Sequence, residues 1–409
     1  MPASRASSSR LLPALLAAAL VPAAAGCSSR SQAGEPDDGA ADLAPDEAAD
    51  SSPDLPEAPD DMPYESFDPG PDLEDTADDV PADDEPDAHL PEMHFYFGNF
   101  HSHTGFSEGV GTPAENFSWA RDIVGLDFYA VTDHAEQVSS GEWTDTATQA
   151  DGCNATGVFA ALRGFEWSNP LIGHSCTFDT TGYTSSLSSI LLGSYYSWVD
   201  SNDGLSQFNH PGREVSNFNN LALEVSVVDN FFAIEVGNKG DGIAGGEYYP
   251  FYVQALDLGW IVAPTANQDN HDMSVNCHRS VYVGLELSRE ALLEAMVARR
   301  IYASDDPNME ITFKHGDSWM GSSVWVPGGT ATFTIHVVDD EPITLVELVS
   351  NGGTVVSSLT PPPDSTDVAW DPTAAVSSGD WFFVKVTESD ILDGEPPVQM
   401  AVTAPFWII

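Results

Sequence analysis

The chain has 409 residues, with 13 Lys+Arg against 64 Asp+Glu, a formal charge of −51 and a sequence pI near 4.1. That balance excludes a nucleic-acid-binding protein, which needs a basic face to displace counterions from phosphates. A hydrophobic content of 42% with 10 Trp, 11 Tyr and 20 Phe is ample for a sizeable core, and the length allows roughly two or three domains.

The N-terminus carries an export pattern. Residues 1–26 hold a basic start at Arg5 and Arg10, an apolar run from Leu11 to Val21 and the small residues Ala23-Ala24-Ala25-Gly26. The run is too short and too alanine-rich for a good spanning helix. Its ending, Ala24-Ala25-Gly26-Cys27, resembles a bacterial lipobox. That implies a lipid on Cys27 as the only membrane attachment and, with Ser28 next, the outer membrane of a bacterial cell envelope as the destination. Residues 27–92 follow with 23 acids, Arg30 as the sole base and eleven prolines. Such a composition cannot bury enough apolar area to offset chain entropy, and it predicts a disordered, self-repelling tether. Residues 93–409 hold 41 acids against 10 bases, so the globular part is acidic in its own right. With Cys27 lipidated, Cys153, Cys176 and Cys277 remain, and Cys153–Cys176 is the preferred pair for one disulfide because it closes a short loop.

From His94 to about residue 305, short apolar runs recur and end in His, Asp or Glu. They are Phe95-Tyr96-Phe97 before His101-Ser102-His103, Leu126–Val131 before Asp133-His134, Phe159–Leu162 before Glu166, Phe208 before His210, Phe231–Ile234 before Glu235, and Trp260–Ala263 before Asp269-Asn270-His271. Runs of this kind read as buried parallel strands with helices between them. Polar groups gathered at strand C-termini are where an α/β barrel builds its active site. One connecting helix is marked by Thr112 as N-cap, Pro113 at the first helical position and Glu115 completing a capping box, and it ends near Gly125. Seven of the 11 histidines lie between residues 101 and 278. Imidazoles and carboxylates converging from separate strands suit a metal centre.

These motifs resemble the polymerase and histidinol phosphatase (PHP) metal-dependent hydrolases over residues 93–305. The resemblance rests on Gly98-Asn99-Phe100-His101-Ser102-His103-Thr104 with Ser107-Glu108-Gly109, Thr132-Asp133-His134, Gly164-Phe165-Glu166-Trp167, Asn209-His210-Pro211-Gly212 and Asp269-Asn270-His271. The ending Arg299-Arg300-Ile301-Tyr302-Ala303 is similar to the exported branch that includes carbamate hydrolases. The resemblance implies an α/β fold, a distorted seven-stranded β/α barrel, with two or three divalent ions of Zn, Mn or Fe. His101, His103, Glu166 and Asp269 would hold the first ion. Glu166 would bridge to a second on His174 and His210. A third would sit on His134 and His271 with Glu108.

In this reading Glu166, His210 and Asp269 serve a water held between two metals, and Arg213 and Arg300 are the candidate substrate contacts, each able to fork onto a phosphate or carboxylate. Asp133 is expected to orient a ligand histidine, and His278 is a candidate general acid. The substrate would be a small molecule or an envelope component. The scarcity of Lys and Arg tilts the expectation toward an ester, amide or carbamate bond, with phosphoester cleavage as the alternative.

After Tyr302 the pattern becomes period-two. Strands are expected at Glu310–Lys314, Ala331–Val338, Ile343–Ser350, Thr354–Leu359, Trp381–Thr387 and Gln399–Ile409, with Asn351-Gly352 as a hairpin turn. Residues 306–409 therefore read as an immunoglobulin-like β-sandwich. A different class of function, a non-catalytic adhesion or glycan-binding lipoprotein, would make this region the working part. Halophilic solvation is a further reading of the acidity.

Overall fold

A computed structural model describes residues 92–240, 242–389 and 398–409, so the expected export signal, the lipid-bearing Cys27 and nearly all of the tether lie outside the described residues. The first nine strands are β1 (His94–Asn99), β2 (Phe128–Val131), β3 (Ala160–Asn169), β4 (Gly173–Phe178), β5 (Leu205–Asn209), β6 (Phe231–Asn238), β7 (Ala263–Asn267), β8 (Arg279–Gly284) and β9 (Ile301–Ser304). Strands β1 to β7 lie side by side in chain order. All of them are parallel except β4, which runs antiparallel to both β3 and β5. The apolar runs are strands because every residue of β2 and β6 is buried.

Strands β1 to β7 form a curled sheet. No ladder joins β7 back to β1. The seam is crossed instead by Ser280 Oγ of β8, which donates to the Ala266 carbonyl at 3.1 Å, and by one parallel bridge at the rim between Ser102 and Asn270, where His103 N–H donates to the Asn270 carbonyl at 2.8 Å. Phe100 fills the curl just before His101, its ring meeting those of Phe128, Phe178 and Phe232 at 4.8–5.9 Å.

Five helices flank the sheet: α1 (Pro113–Trp119), α2 (Ser140–Cys153), α3 (Leu192–Ser201), α4 (Tyr249–Leu258) and α5 (Arg289–Ala298). The capping box of α1 is present as expected, with Glu115 N–H on Thr112 Oγ1 and Thr112 N–H on Glu115 Oε2. A five-residue π-turn, Ala120–Val124, then carries the helix to Gly125 in the left-handed region at φ 79°. Residues Asn217–Leu221 wind left-handed, with φ between 42° and 57°. All three described cysteines are free thiols. The expected Cys153–Cys176 bridge is absent because Cys153 ends α2 on the outer layer, whereas Cys176 is buried among the strands of the curl.

The C-terminal strands follow the expected period-two pattern and continue from the curled sheet. They comprise β10 (Glu310–His315), β11 (Ser318–Trp319), β12 (Ser323–Val324), β13 (Thr330–Thr332), β14 (Thr334–Val338), β15 (Ile343–Ser350), β16 (Thr354–Leu359), β17 (Asp367–Trp370), β18 (Thr373–Ala375), β19 (Trp381–Glu388), β20 (Gln399–Thr403) and β21 (Phe406–Ile408). Strand β8 pairs antiparallel with β1, β9 with β8, and β20 with β9, so the curled sheet runs without a break into β20, β19 and β21. A four-stranded sheet, β11-β10-β14-β17, packs its Ile311, Phe313, Ile335 and Val337 into the same core as Val346, Leu348, Phe382 and Val384. The Asn351-Gly352 hairpin stands where expected, with Gly352 and Gly353 at φ 67° and 71°.

Candidate metal centre

Because six of the seven curled strands are parallel, their C-terminal ends share one rim, and the polar residues that close each apolar run meet there. Inverted β4 contributes from its first turn: His174 is its second residue, so its N-terminal end lies at the same rim, opposite Asn209 in the β4–β5 register. The positively twisted backbone at His210 (φ 29°) and Asp269 (φ 44°) bends both residues inward at the ends of β5 and β7.

Glu166 is the hub. It is buried, with Oε1 3.1 Å from His101 Nε2, 3.4 Å from His174 Nδ1 and 3.5 Å from His210 Nε2. Its other oxygen, Oε2, lies 2.8 Å from His134 Nδ1 and 3.7 Å from His103 Nε2. Asp269 Oδ1 closes the opposite side, 3.2 Å from His103 Nε2, 3.6 Å from His101 Nε2 and 3.5 Å from His271 Nδ1. The rings of His134 and His271 both stack against His103, at 4.4 and 4.2 Å, and lie 6.4 Å from each other. Burial opposes ionisation of Glu166, but His101 and His174 outweigh it and hold the carboxyl well below the ordinary range. Burial instead pushes His103 down to about 3, leaving it neutral.

The donor set fits divalent metals. Ligand atoms of His101, His103 and Asp269, of Glu166, His174 and His210, and of His103, His134 and His271 each converge to within 4.8 Å. His101 Nε2 and His103 Nε2 face each other at 3.2 Å. The Nδ1 side of His101 lies 2.9 Å from Glu235 Oε1, so an Nδ1–H donated there would leave Nε2 to face a cation in the cluster. His174 Nδ1 and His210 Nδ1 are buried without a hydrogen-bond partner. Imidazole nitrogens that face carboxylates and other imidazoles are arranged to share a cation.

All eight of His101, His103, His134, Glu166, His174, His210, Asp269 and His271 come together. Glu108 stands at the edge, largely exposed, with Oε2 4.0 Å from His134 Nε2 and Oε1 accepting from Gln137. His103 therefore sits closer to His134 and His271 than Glu108 does to the pair. Arg213 reaches the cluster, its Nη2 2.7 Å from His210 Nε2 and its Nη1 3.7 Å from Asp269 Oδ2.

Three expectations are corrected. Arg300 is not at the site: it immediately precedes β9, which runs parallel to β1, so it lies at the end of the sheet away from the rim. There it forks onto Glu294 and donates to the Val283 carbonyl. His278 is buried with Nδ1 3.1 Å from Asp305 Oδ1 and Nε2 toward the Gly240 carbonyl, where it props a turn rather than facing the cluster. The Asp133 carboxylate makes no direct hydrogen bond to a ligand histidine and reaches His103 only through Ser107 Oγ, which lies 3.5 Å from His103 Nδ1. It accepts from Thr104 N–H, Thr104 Oγ1 and Ser107 Oγ at 2.5–2.7 Å, fixing the loop after His103.

The sequence reading passed over several contributors. Glu235 is fully buried and takes His210 N–H (2.6 Å), Asn238 Nδ2 (2.9 Å) and Asn267 Nδ2 (3.0 Å) besides His101. Asn209 Nδ2 donates to Glu166 Oε1 at 2.8 Å, and Ser168 Oγ lies 2.6 Å from His134 Nδ1. Lys239 Nζ is 3.1 Å from Asp269 Oδ2 and 3.3 Å from His271 Nδ1. Glu235 carried a usable signal, an acid closing the apolar run Phe231–Ile234; Lys239 carried only rarity, being one of three lysines in the chain.

No family model matches the chain, and neither does any curated protein. Among solved structures, a two-domain protein from Bacteroides vulgatus containing a predicted PHP-like metal-dependent phosphoesterase is 16% identical, covering 77% of this chain and 96% of its own, with a TM-score of 0.42. An engineered protein is 12% identical over 69% of this chain and 49% of its own, with a TM-score of 0.19. Likenesses this distant decide neither fold nor function.

Proposed function

We propose that this chain is a metal-dependent hydrolase of the PHP kind that cleaves a phosphoester bond. The observation that carries the reading is Glu166, whose two oxygens face two different sets of imidazoles, as a carboxylate shared between two cations does. When bound, divalent cations would supply Lewis acidity, lowering the pKa of a water toward about 7 and drawing charge from a substrate oxygen.

The chain's own residues prepare that chemistry. Glu235 fixes the tautomer of His101, Asn209 and Ser168 orient Glu166, and Phe100 with its ring of aromatics keeps water from the underside. Arg213, which also pairs with Glu214 at 3.2 Å, and Lys239 place two positive groups beside Asp269, in a cleft also lined by Asn238, Gly240, Glu247 and Tyr248. Two cations at the mouth of an otherwise acidic protein favour an anionic substrate over the neutral ester, amide or carbamate that overall charge suggests. The expected export and lipid anchoring on Cys27 would place the enzyme in a cell envelope, facing small molecules or envelope components.

The test is metal analysis of the purified chain coupled to a panel of aryl phosphate, diester, carboxylate ester and carbamate substrates. Two or more metals per chain, with chelator-sensitive hydrolysis of a phosphoester, is the expected result. Preference for the carboxylate ester or carbamate would move the bond type, and a protein without metal or hydrolysis would overturn the reading. Glu166→Gln should lose metal and at least about a hundredfold of activity together, because one carboxamide cannot serve two cations.

A further inference from the structure

A cleft of about 280 Å³ opens between α2, α5 and the segment after β4, with Asp151, Arg163, Thr180 and Arg289 among its lining residues. Arg163 and Glu166 stand three residues apart on β3, so their side chains leave opposite faces of the strand. The cleft therefore lies across the sheet from the histidine-rich cluster.

Residues 93–409 hold ten bases, and two of them line this one cleft. Arg163 lays its guanidinium over the Trp143 ring at 3.8 Å and donates from Nη2 to the Thr180 carbonyl at 2.7 Å. Among the described residues its Nε and Nη1 have no hydrogen-bond partner, no carboxylate lies within 4 Å of the group, and neither nitrogen is enclosed. Only one N–H of Nη2 is used on Thr180, so one of the two forks of the guanidinium stays complete. Arg289 is spent on the protein, with Nε on the Ala161 carbonyl at 2.8 Å and Nη1 on Asp151 Oδ1 at 2.7 Å. Asp151 thus answers the charge of Arg289 and leaves that of Arg163 unanswered. Asp179 also lines the cleft but is exposed and pairs with neither arginine. Burial draws the pKa of Arg163 down, with Asp151 opposing the fall and Arg289 adding to it. An anion beside Arg163 would reverse that penalty.

We propose that this cleft binds a small monocarboxylate carrying a short apolar stem. The open fork of Arg163 matches the two oxygens of a planar carboxylate. Ala147, Ala150, Leu162 and Leu293 offer the stem an apolar wall. The volume is at the small end for ligand pockets, which suits a molecule of a few carbons. One unanswered positive charge, with Asp151 alongside, favours a singly charged ligand over a doubly charged phosphate.

Isothermal titration calorimetry of the full chain, with sodium butyrate as the probe at constant ionic strength, tests this. Wild type should bind butyrate with a dissociation constant on the order of a millimolar, and Glu166→Gln should bind it equally well. Arg163→Gln should weaken binding at least about tenfold. Ala147→Asp, which sets a fixed carboxylate in the cleft from the surface of α2, should do the same and decides the matter should Arg163→Gln fail to fold. No binding to wild type, binding kept by either folded cleft variant, or binding lost in Glu166→Gln overturns the site. In the Glu166→Gln background, inorganic phosphate that binds more tightly than butyrate and is lost on adding Arg163→Gln would overturn the choice of a monocarboxylate.

Discussion

Glu235 governs more of the rim than any residue that would touch a metal. It accepts the Nδ1 proton of His101, the backbone N–H of His210 and two carboxamides, so one buried carboxylate sets the tautomer of one ligand and the position of another. Glu235→Gln keeps the shape but offers His101 an amide instead of an anion. Metal affinity should fall about 10- to 100-fold with little change in thermal stability, measured by competition with a chromophoric chelator. Unchanged affinity would show that His101 is oriented by packing alone. Most members of the cluster were legible in the sequence because His101, His103, His134 and Asp269 lie just past apolar runs. Their supports were not, because Ser168, Asn209 and Lys239 are ordinary polar residues whose role depends on which strand lies beside which. Arg300 misled for the same reason: an arginine next to a strand says nothing about which end of the strand faces the rim.

Among the elements, the parallel strands were visible as apolar runs, and α1 was visible through its capping box. Strand β4 was not anticipated as a strand, since Gly173–Phe178 is half polar, and its reversal hides the fact that His174 starts rather than ends a strand. The curl is drawn tight between β1 and β2. A Cβ on Gly98 would stand 2.3 Å from the Phe128 carbonyl oxygen and 2.4 Å from the Phe128 ring. A backbone atom on the neighbouring strand cannot yield without moving the ladder, so Gly98→Ala should destabilise by about 1–3 kcal/mol in denaturant unfolding. Since His101 lies three residues on, metal affinity should fall with it. A neutral result would mean that β1 and β2 separate more easily than their register suggests.

On the scale of the whole molecule, the period-two pattern after Tyr302 was legible as strands, but the fact that some of them continue the curled sheet was not. Period alone reports which face is buried, not which sheet a strand joins. Here Tyr302, Ala303 and Ser304 of β9 pair with Thr403, Val402 and Ala401 of β20, and Tyr252 of α4 donates to the Thr403 carbonyl at 3.0 Å while its ring meets Phe383 at 5.2 Å. Residues 93–305 expressed alone should therefore aggregate, with soluble yield and gel filtration as the measure, because the cut bares an apolar sheet edge. A soluble, metal-binding fragment would disprove this dependence. Strand β9 also has a meaning for inheritance. A recombination event at residue 305 would divide a hydrogen-bonded ladder, so an incoming segment would need to bring a strand of the right length and antiparallel sense to β9. From His94 to Ile409, the stretch that can be transplanted intact is the whole sheet, and the histidine-rich rim travels with the strands that follow it.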